Sequence, residues 1–125
     1  MIWSFIQVAI GGALGASMRY ASILGVTRLF GAGFPIGTLF VNILGSILLG
    51  FLVVLLDQRN WVSLTPFIIV GILGGFTTFS AFSLDAYNLF ERGDFLACVA
   101  YIFFSVSLSI LALVVGIIIG RYIIL

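Results

Sequence analysis

The chain has 125 residues, of which 63% are hydrophobic and only 7% charged, and its mean hydropathy is +1.39. A soluble domain carries about 25% charged residues, so water is a poor solvent for most of this surface and lipid is expected instead. A formal net charge of +1, no lysine, no histidine and one cysteine exclude the basic patch of a nucleic-acid binder, a Cys/His zinc site, an internal disulfide, histidine-based catalytic sets and a phosphate-binding loop with its lysine.

A membrane span needs about 20 mostly apolar residues, and four segments qualify. The first covers residues 2–24. It lacks a positively charged start and its apolar stretch continues past Gly11, Gly12, Ala13, Gly15 and Ala16, so it is expected to be a retained helix and not a cleaved signal. Gly31, Gly33 and Pro35 mark a loop. The second segment covers 37–56 and ends on the polar run Asp57, Gln58, Arg59, Asn60. The third covers 64–90 and is followed by the turn residues Glu91, Arg92, Gly93 and Asp94. The fourth covers 95–119, with Cys98 as a packing residue in an apolar run. The expected fold is an all-α membrane protein, a single four-helix transmembrane domain over residues 1–125.

Loop arginines normally set orientation. With four spans, Arg59 and Arg121 lie on the side of the termini, and Arg28 and Arg92 lie on the other. A chain without a charge bias has no reason to choose one orientation, which is the sequence condition for dual topology. The alternative is a weak bias from Arg19 or from the lipid. Small residues at four-residue spacing (Gly11/Gly15, Gly71/Gly75, Gly116/Gly120) allow close helix approach in lipid, and the surface left over on so small a bundle points to a homo-oligomer.

The third segment holds Gly74-Gly75-Phe76-Thr77-Thr78-Phe79-Ser80-Ala81-Phe82-Ser83 at its middle. Adjacent glycines cost about 1 kcal/mol each in a helix, so a break near mid-membrane is expected, with freed carbonyls that need partners. The other reading is a glycine pair used only for close packing. Phe79 and Phe82 share a helix face, as do Ser80 and Ser83 on a neighbouring one. Ring edges are positive, so two rings turned edge-on suit a small anion; lipid-facing or core rings are the plainer reading.

Thr38, Asn42 and Ser46 form a polar stripe at spacing of four in the second segment, and Tyr101, Ser105 and Ser109 form another in the fourth. Both are uncharged and rich in donors. They read equally as pore lining for an anion or as interhelical hydrogen bonds. Arg19 either snorkels to the interface or faces a vestibule. Asp85 is an interfacial carboxylate or the partner of an arginine.

Three motifs carry a resemblance. They are Gly11-Gly12-x-x-Gly15-Ala16-x-x-Arg19-Tyr20, Gly37-Thr38-Leu39-x-Val41-Asn42-x-x-Gly45 and Gly71-x-x-Gly74-Gly75-x-Thr77-Thr78-Phe79-Ser80-x-Phe82-Ser83. In order and separation they resemble the Fluc/CrcB fluoride channels. The resemblance implies a fluoride-selective channel, not an enzyme, that exports fluoride passively across the cell (inner) membrane and protects against its toxicity. It implies a dual-topology antiparallel homodimer with two pores and a structural sodium ion held by the backbone carbonyls of Gly74 and Thr77. It also implies a pore lined by Phe79, Phe82 and Asn42, and, mapped by spacing, by Tyr101, Ser105 and Ser109. Thr38, Ser80 and Ser83 extend that lining, and Arg19 belongs to the vestibule. Two positions depart from the pattern: Ala81 stands where threonine is frequent, and Asp85 where glutamate is common. The alternative is a small four-helix proton-coupled exporter, which needs a carboxylate in its first helix; this first helix has none.

Overall fold

A computed structural model describes residues 1–125 as helices and short turns, with no strand. Helix α1 spans Ile2–Phe30 and α2 spans Ile36–Gln58. A 3-10 turn, Val62–Leu64, leads into a π-helical stretch, Pro66–Leu73, and then α3, Gly74–Phe76. Two extended residues separate α3 from α4, Phe79–Glu91, and α5 runs over Phe95–Ile124. α1 stops where Gly31 turns the chain to φ 81° and places its N–H on the Thr27 carbonyl, a left-handed conformation open to glycine.

Three helical stretches are long and apolar enough to cross a membrane: Ile36–Gln58, Val62–Glu91 and Phe95–Ile124. The expected first span is also a long helix, but Gln7, Ser17, Arg19, Ser22 and several glycines make α1 the more polar element.

The distribution of side chains is inverted relative to a soluble domain. Gln7, Thr38, Thr78 and Ser105 are buried, while Phe5, Phe103, Leu111 and Ile118 are exposed. In water that arrangement would forfeit hydrophobic burial. In lipid the outer face is satisfied by acyl chains, and polar groups and small residues hold the helices together.

The glycine pairs act inside the protomer. α1 lies against the π-helical stretch and α3 backbone to backbone. A Cβ on Gly11 would meet the Phe67 carbonyl, one on Gly15 the Ile72 carbonyl, and one on Gly75 the Gly12 carbonyl at 2.8 Å. α2 and α5 meet in the same way, Gly50 receiving the Leu113 carbonyl and Gly116 the Ile47 carbonyl. Between the α2–α5 pair and α4 sits the core cluster Phe82, Ala86, Leu89, Cys98 and Tyr101, with Phe34 of the first loop packed on it.

The third segment is broken, as expected, but not at its glycines. Gly74 is helical, at φ −62° and ψ −35°. The chain opens at Thr77 (φ −84°, ψ 157°) and Thr78 (φ −154°, ψ 119°). The helix cost of a glycine pair is outweighed here, because Gly75 needs no side chain where it meets α1. The break falls instead on β-branched residues, which fit extended dihedrals well. Thr77 and Thr78 also carry the hydroxyls that finish both helix ends.

Candidate ion pathway

Opening a helix over two residues strips several backbone groups of their partners, and each can be followed. Thr77 donates both its N–H and its Oγ1 hydrogen to the Leu73 carbonyl, at 3.0 and 2.9 Å. Thr78 Oγ1 accepts the Ala81 N–H at 3.1 Å and so caps α4, a role for which threonine is favoured. The Gly75 carbonyl accepts from Arg19 Nε at 2.9 Å. The Thr78 N–H, which a continuous helix would give to the Gly74 carbonyl, goes to Asn42 Oδ1 at 2.8 Å, while Asn42 Nδ2 donates to the Thr78 carbonyl at 3.0 Å. The Thr77 carbonyl receives no hydrogen bond.

Beside the break lies an uncharged cavity of about 480 Å³. It brings together seven of the residues singled out in the sequence: Asn42, Gly74, Thr77, Phe79, Phe82, Ser105 and Ser109. Ser46 and Thr78 join them. Ser105 is 6% exposed, and its Oγ has no hydrogen-bond partner. No carboxylate or basic group lines this space, and no cluster of three His, Cys, Asp or Glu residues exists anywhere to hold a metal. Neutral polar side chains and two aromatic rings are what the cavity offers, a chemistry suited to an anion that must shed water without meeting a fixed charge.

The remaining sequence candidates stand around that cavity, not in it. Thr38 is buried. Ser80 Oγ lies 3.3 Å from Thr78 Oγ1, and Ser83 Oγ donates to the Phe79 carbonyl on an exposed face. Tyr101 is fully buried, with its hydroxyl donating to Asp85 Oδ2 at 3.2 Å. Asp85 therefore has a tyrosine as its partner, not an arginine.

The rings form a continuous series. Phe79 and Phe82 have centroids 5.3 Å apart, Phe82 and Tyr101 5.3 Å, and Tyr101 and Phe34 5.5 Å with an edge-on contact. The shared face expected of Phe79 and Phe82 is present, although Phe79 is 76% exposed and Phe82 9%. Sequence reasoning did not single out Phe34, because a lone loop aromatic carries no periodicity. Nor did it place Thr78 in the site, although a threonine directly before a helical run is a capping signal.

The chain is similar to known proteins over most of its length. Residues 6–117 match the model of the family described as "CrcB-like protein, Camphor Resistance (CrcB)". A fluoride-specific ion channel FluC of Cereibacter sphaeroides is 54% identical over 116 residues, covering 93% of each chain. One from a Ruegeria species is 52% identical over 122 residues, covering 97% of each, and one from Agrobacterium fabrum is 49% identical over 116 residues, covering 91% of this chain and 93% of its own. With a family match across most of its length and relatives at about half identity, the chain belongs to the CrcB-like protein family.

Proposed function

We propose that this protein is a fluoride-selective ion channel of the cell (inner) membrane, a multi-pass transport protein and not an enzyme. The observation that carries the reading is the uncharged cavity beside the break, lined by the neutral polar residues Asn42, Ser105 and Ser109 together with Phe79 and Phe82. The names of the relatives supply the anion's identity. A membrane potential negative inside drives a monovalent anion outward with about 2.3 kcal/mol per 100 mV, so a passive pore is sufficient for export and protection.

In this reading the whole chain is one four-helix membrane domain, with α1 as the fourth span. Its polar groups are partly answered by neighbours: Gln7 donates to the Ser63 carbonyl at 3.2 Å and Arg19 to Gly75. Two chains inserted in opposite orientations form an antiparallel homodimer. The loop arginines, matched two to two across the membrane, favour neither orientation. The carbonyls of Gly74 and Thr77 fit a structural sodium ion: both border the break, and neither is met by the donor a continuous helix would give it. A cation held there would accept the lone pairs of those carbonyls in place of the missing N–H donors.

The test is fluoride efflux from liposomes holding the purified protein, with chloride as control. Fluoride flux well above chloride flux is the expected result, and equal fluxes of the two anions would remove the reading.

A further inference from the structure

We propose that Asn42 is a positioning residue: it acts on permeation by holding the Thr78 backbone in the gap between α3 and α4. The proposal rests on the channel reading above and assigns Asn42 a task other than contact with the anion.

The geometry is a two-point pairing. Asn42 Oδ1 accepts the Thr78 N–H at 2.8 Å, and Asn42 Nδ2 donates to the Thr78 carbonyl at 3.0 Å. A side-chain amide thus stands in for the peptide group of a neighbouring strand, against a residue with strand dihedrals. Thr78 is 9% exposed, and a buried backbone group without a partner is strongly disfavoured. Without the amide, the cheapest remedy is to return the Thr78 N–H to the Gly74 carbonyl by closing the helix. That closure would carry Phe79 and Phe82 around the helix axis and cover the Gly74 carbonyl. Asparagine suits the position because it offers one acceptor and one donor in a plane. A serine has a single oxygen, and an aspartate has no hydrogen for the Thr78 carbonyl.

One Nδ2 hydrogen is left over, so removing Asn42 alone does not separate an anion ligand from a positioning residue. Removing its partner does. Thr78 replaced by its α-hydroxy acid keeps the side chain and exchanges the N–H for an ester oxygen; it also turns the Thr77 carbonyl into a weaker-accepting ester carbonyl, so non-additivity with Asn42→Ala, and not the single loss, separates the pairing from that second effect. Positioning predicts that this ester lowers fluoride flux per reconstituted channel about tenfold, the loss expected for one buried hydrogen bond and its unpaired partner. Asn42→Ala should do the same, and the double variant should lose no more than about threefold beyond either single one, since coupled sites are not additive. An ester channel with normal flux, or losses that multiply, would overturn the proposal.

A second measurement does not depend on flux. Spin labels at the exposed positions Val62 and Glu91, placed in a Cys98→Ala background and diluted with unlabelled chains, report the bend across the break. Asn42→Ala should shift or broaden that distance, and an unchanged narrow distribution would overturn the proposal even if the ester chain fails to fold. Absence of fluoride flux from the unaltered protein would instead sink the channel reading, and the label distances would still decide what Asn42 holds.

Discussion

Arg19 of α1 reaches across to the break and gives its Nε–H to the Gly75 carbonyl at 2.9 Å. That carbonyl belongs to the last turn before the chain extends, where its helical donor, the Phe79 N–H, has been carried away. A charged side chain of α1 thus answers a backbone group that the broken helix leaves without its donor. Together with Asn42 it brackets the break, one side chain from α1 on the upstream residue and one from α2 on the downstream residue.

Arg19→Met keeps an apolar stem and removes the donor. It should lower thermal stability by about 1–3 kcal/mol, the cost of a buried carbonyl left unpaired, and reduce fluoride flux. Arg19→Lys should recover part of both, since an ammonium donates without the planar fork of a guanidinium. Detergent melts and liposome efflux check this. If Arg19→Met matches the unaltered protein in both assays, the contact has no role in holding the break.

The glycines divide by what a methyl group would meet. Gly15→Ala and Gly116→Ala would drive a Cβ into the carbonyls of Ile72 and Ile47. Backbone yields poorly, so each should lose about 1–3 kcal/mol, the usual cost of overpacking. Gly25 faces open space in the same helix as Gly15, and Gly25→Ala should be neutral or gain up to about 1 kcal/mol from helix propensity. Thermal melts of the three variants decide the ordering.

Thr78 has a side-chain task separate from its backbone pairing with Asn42. Its Oγ1 caps α4 through the Ala81 N–H. Thr78→Ser should keep the cap, whereas Thr78→Ala should lose about 1 kcal/mol of stability while leaving the Asn42 pairing in place. The measurable signature is a lower melting temperature for Thr78→Ala with fluoride over chloride selectivity preserved.

Much of this architecture is legible in the sequence because lipid makes the signals simple. Long apolar runs give the helices, and glycines at spacing of four give the close contacts of α1 with the third segment and of α2 with α5. The spacing of Phe79 and Phe82 gives their shared face. The break was legible as a region but not as a position. Glycine propensity points to Gly74 and Gly75, yet the packing of Gly75 against α1 and the hydroxyls of Thr77 and Thr78 move the opening downstream. The Asn42 pairing was not legible at all: spacing places its amide on a polar stripe but does not say that a piece of backbone meets it. The π-helical stretch Pro66–Leu73 likewise has no pattern of its own, since its side chains are apolar all around.

The two ring positions should respond differently to the same change. Phe82 is buried between Phe79 and Tyr101, so Phe82→Leu should lower both stability and flux, with a stability loss of about 1–3 kcal/mol for a reshaped core site. Phe79 is mostly exposed on the protomer. Phe79→Leu should leave the melting temperature nearly unchanged and lower flux alone, because the ring edge is lost but no core contact is. Equal stability losses at the two positions would mean that Phe79 is a packing residue.

The final prediction concerns orientation. Arg28 and Arg92 stand at one end of the helices and Arg59 and Arg121 at the other, all four exposed. Arg92 is further engaged with the Gly33 carbonyl at 2.7 Å and with Asp94 at 3.3 Å, which ties the first loop to the third without changing the tally. Loop arginines and lysines set orientation by their excess on the cytoplasmic side, and under the proposed four-span reading the four loop arginines, Arg19 aside, are split two to two. A pair of lysines added within residues 57–60 should therefore hold the termini in the cytoplasm, and a pair added within 91–94 should hold them outside. If the channel is an antiparallel homodimer, neither locked variant should conduct fluoride when expressed alone, and co-expression of the two should restore fluoride resistance. Full activity from a single locked variant would rule out the antiparallel pairing while leaving the protomer, its broken third segment and its cavity as described.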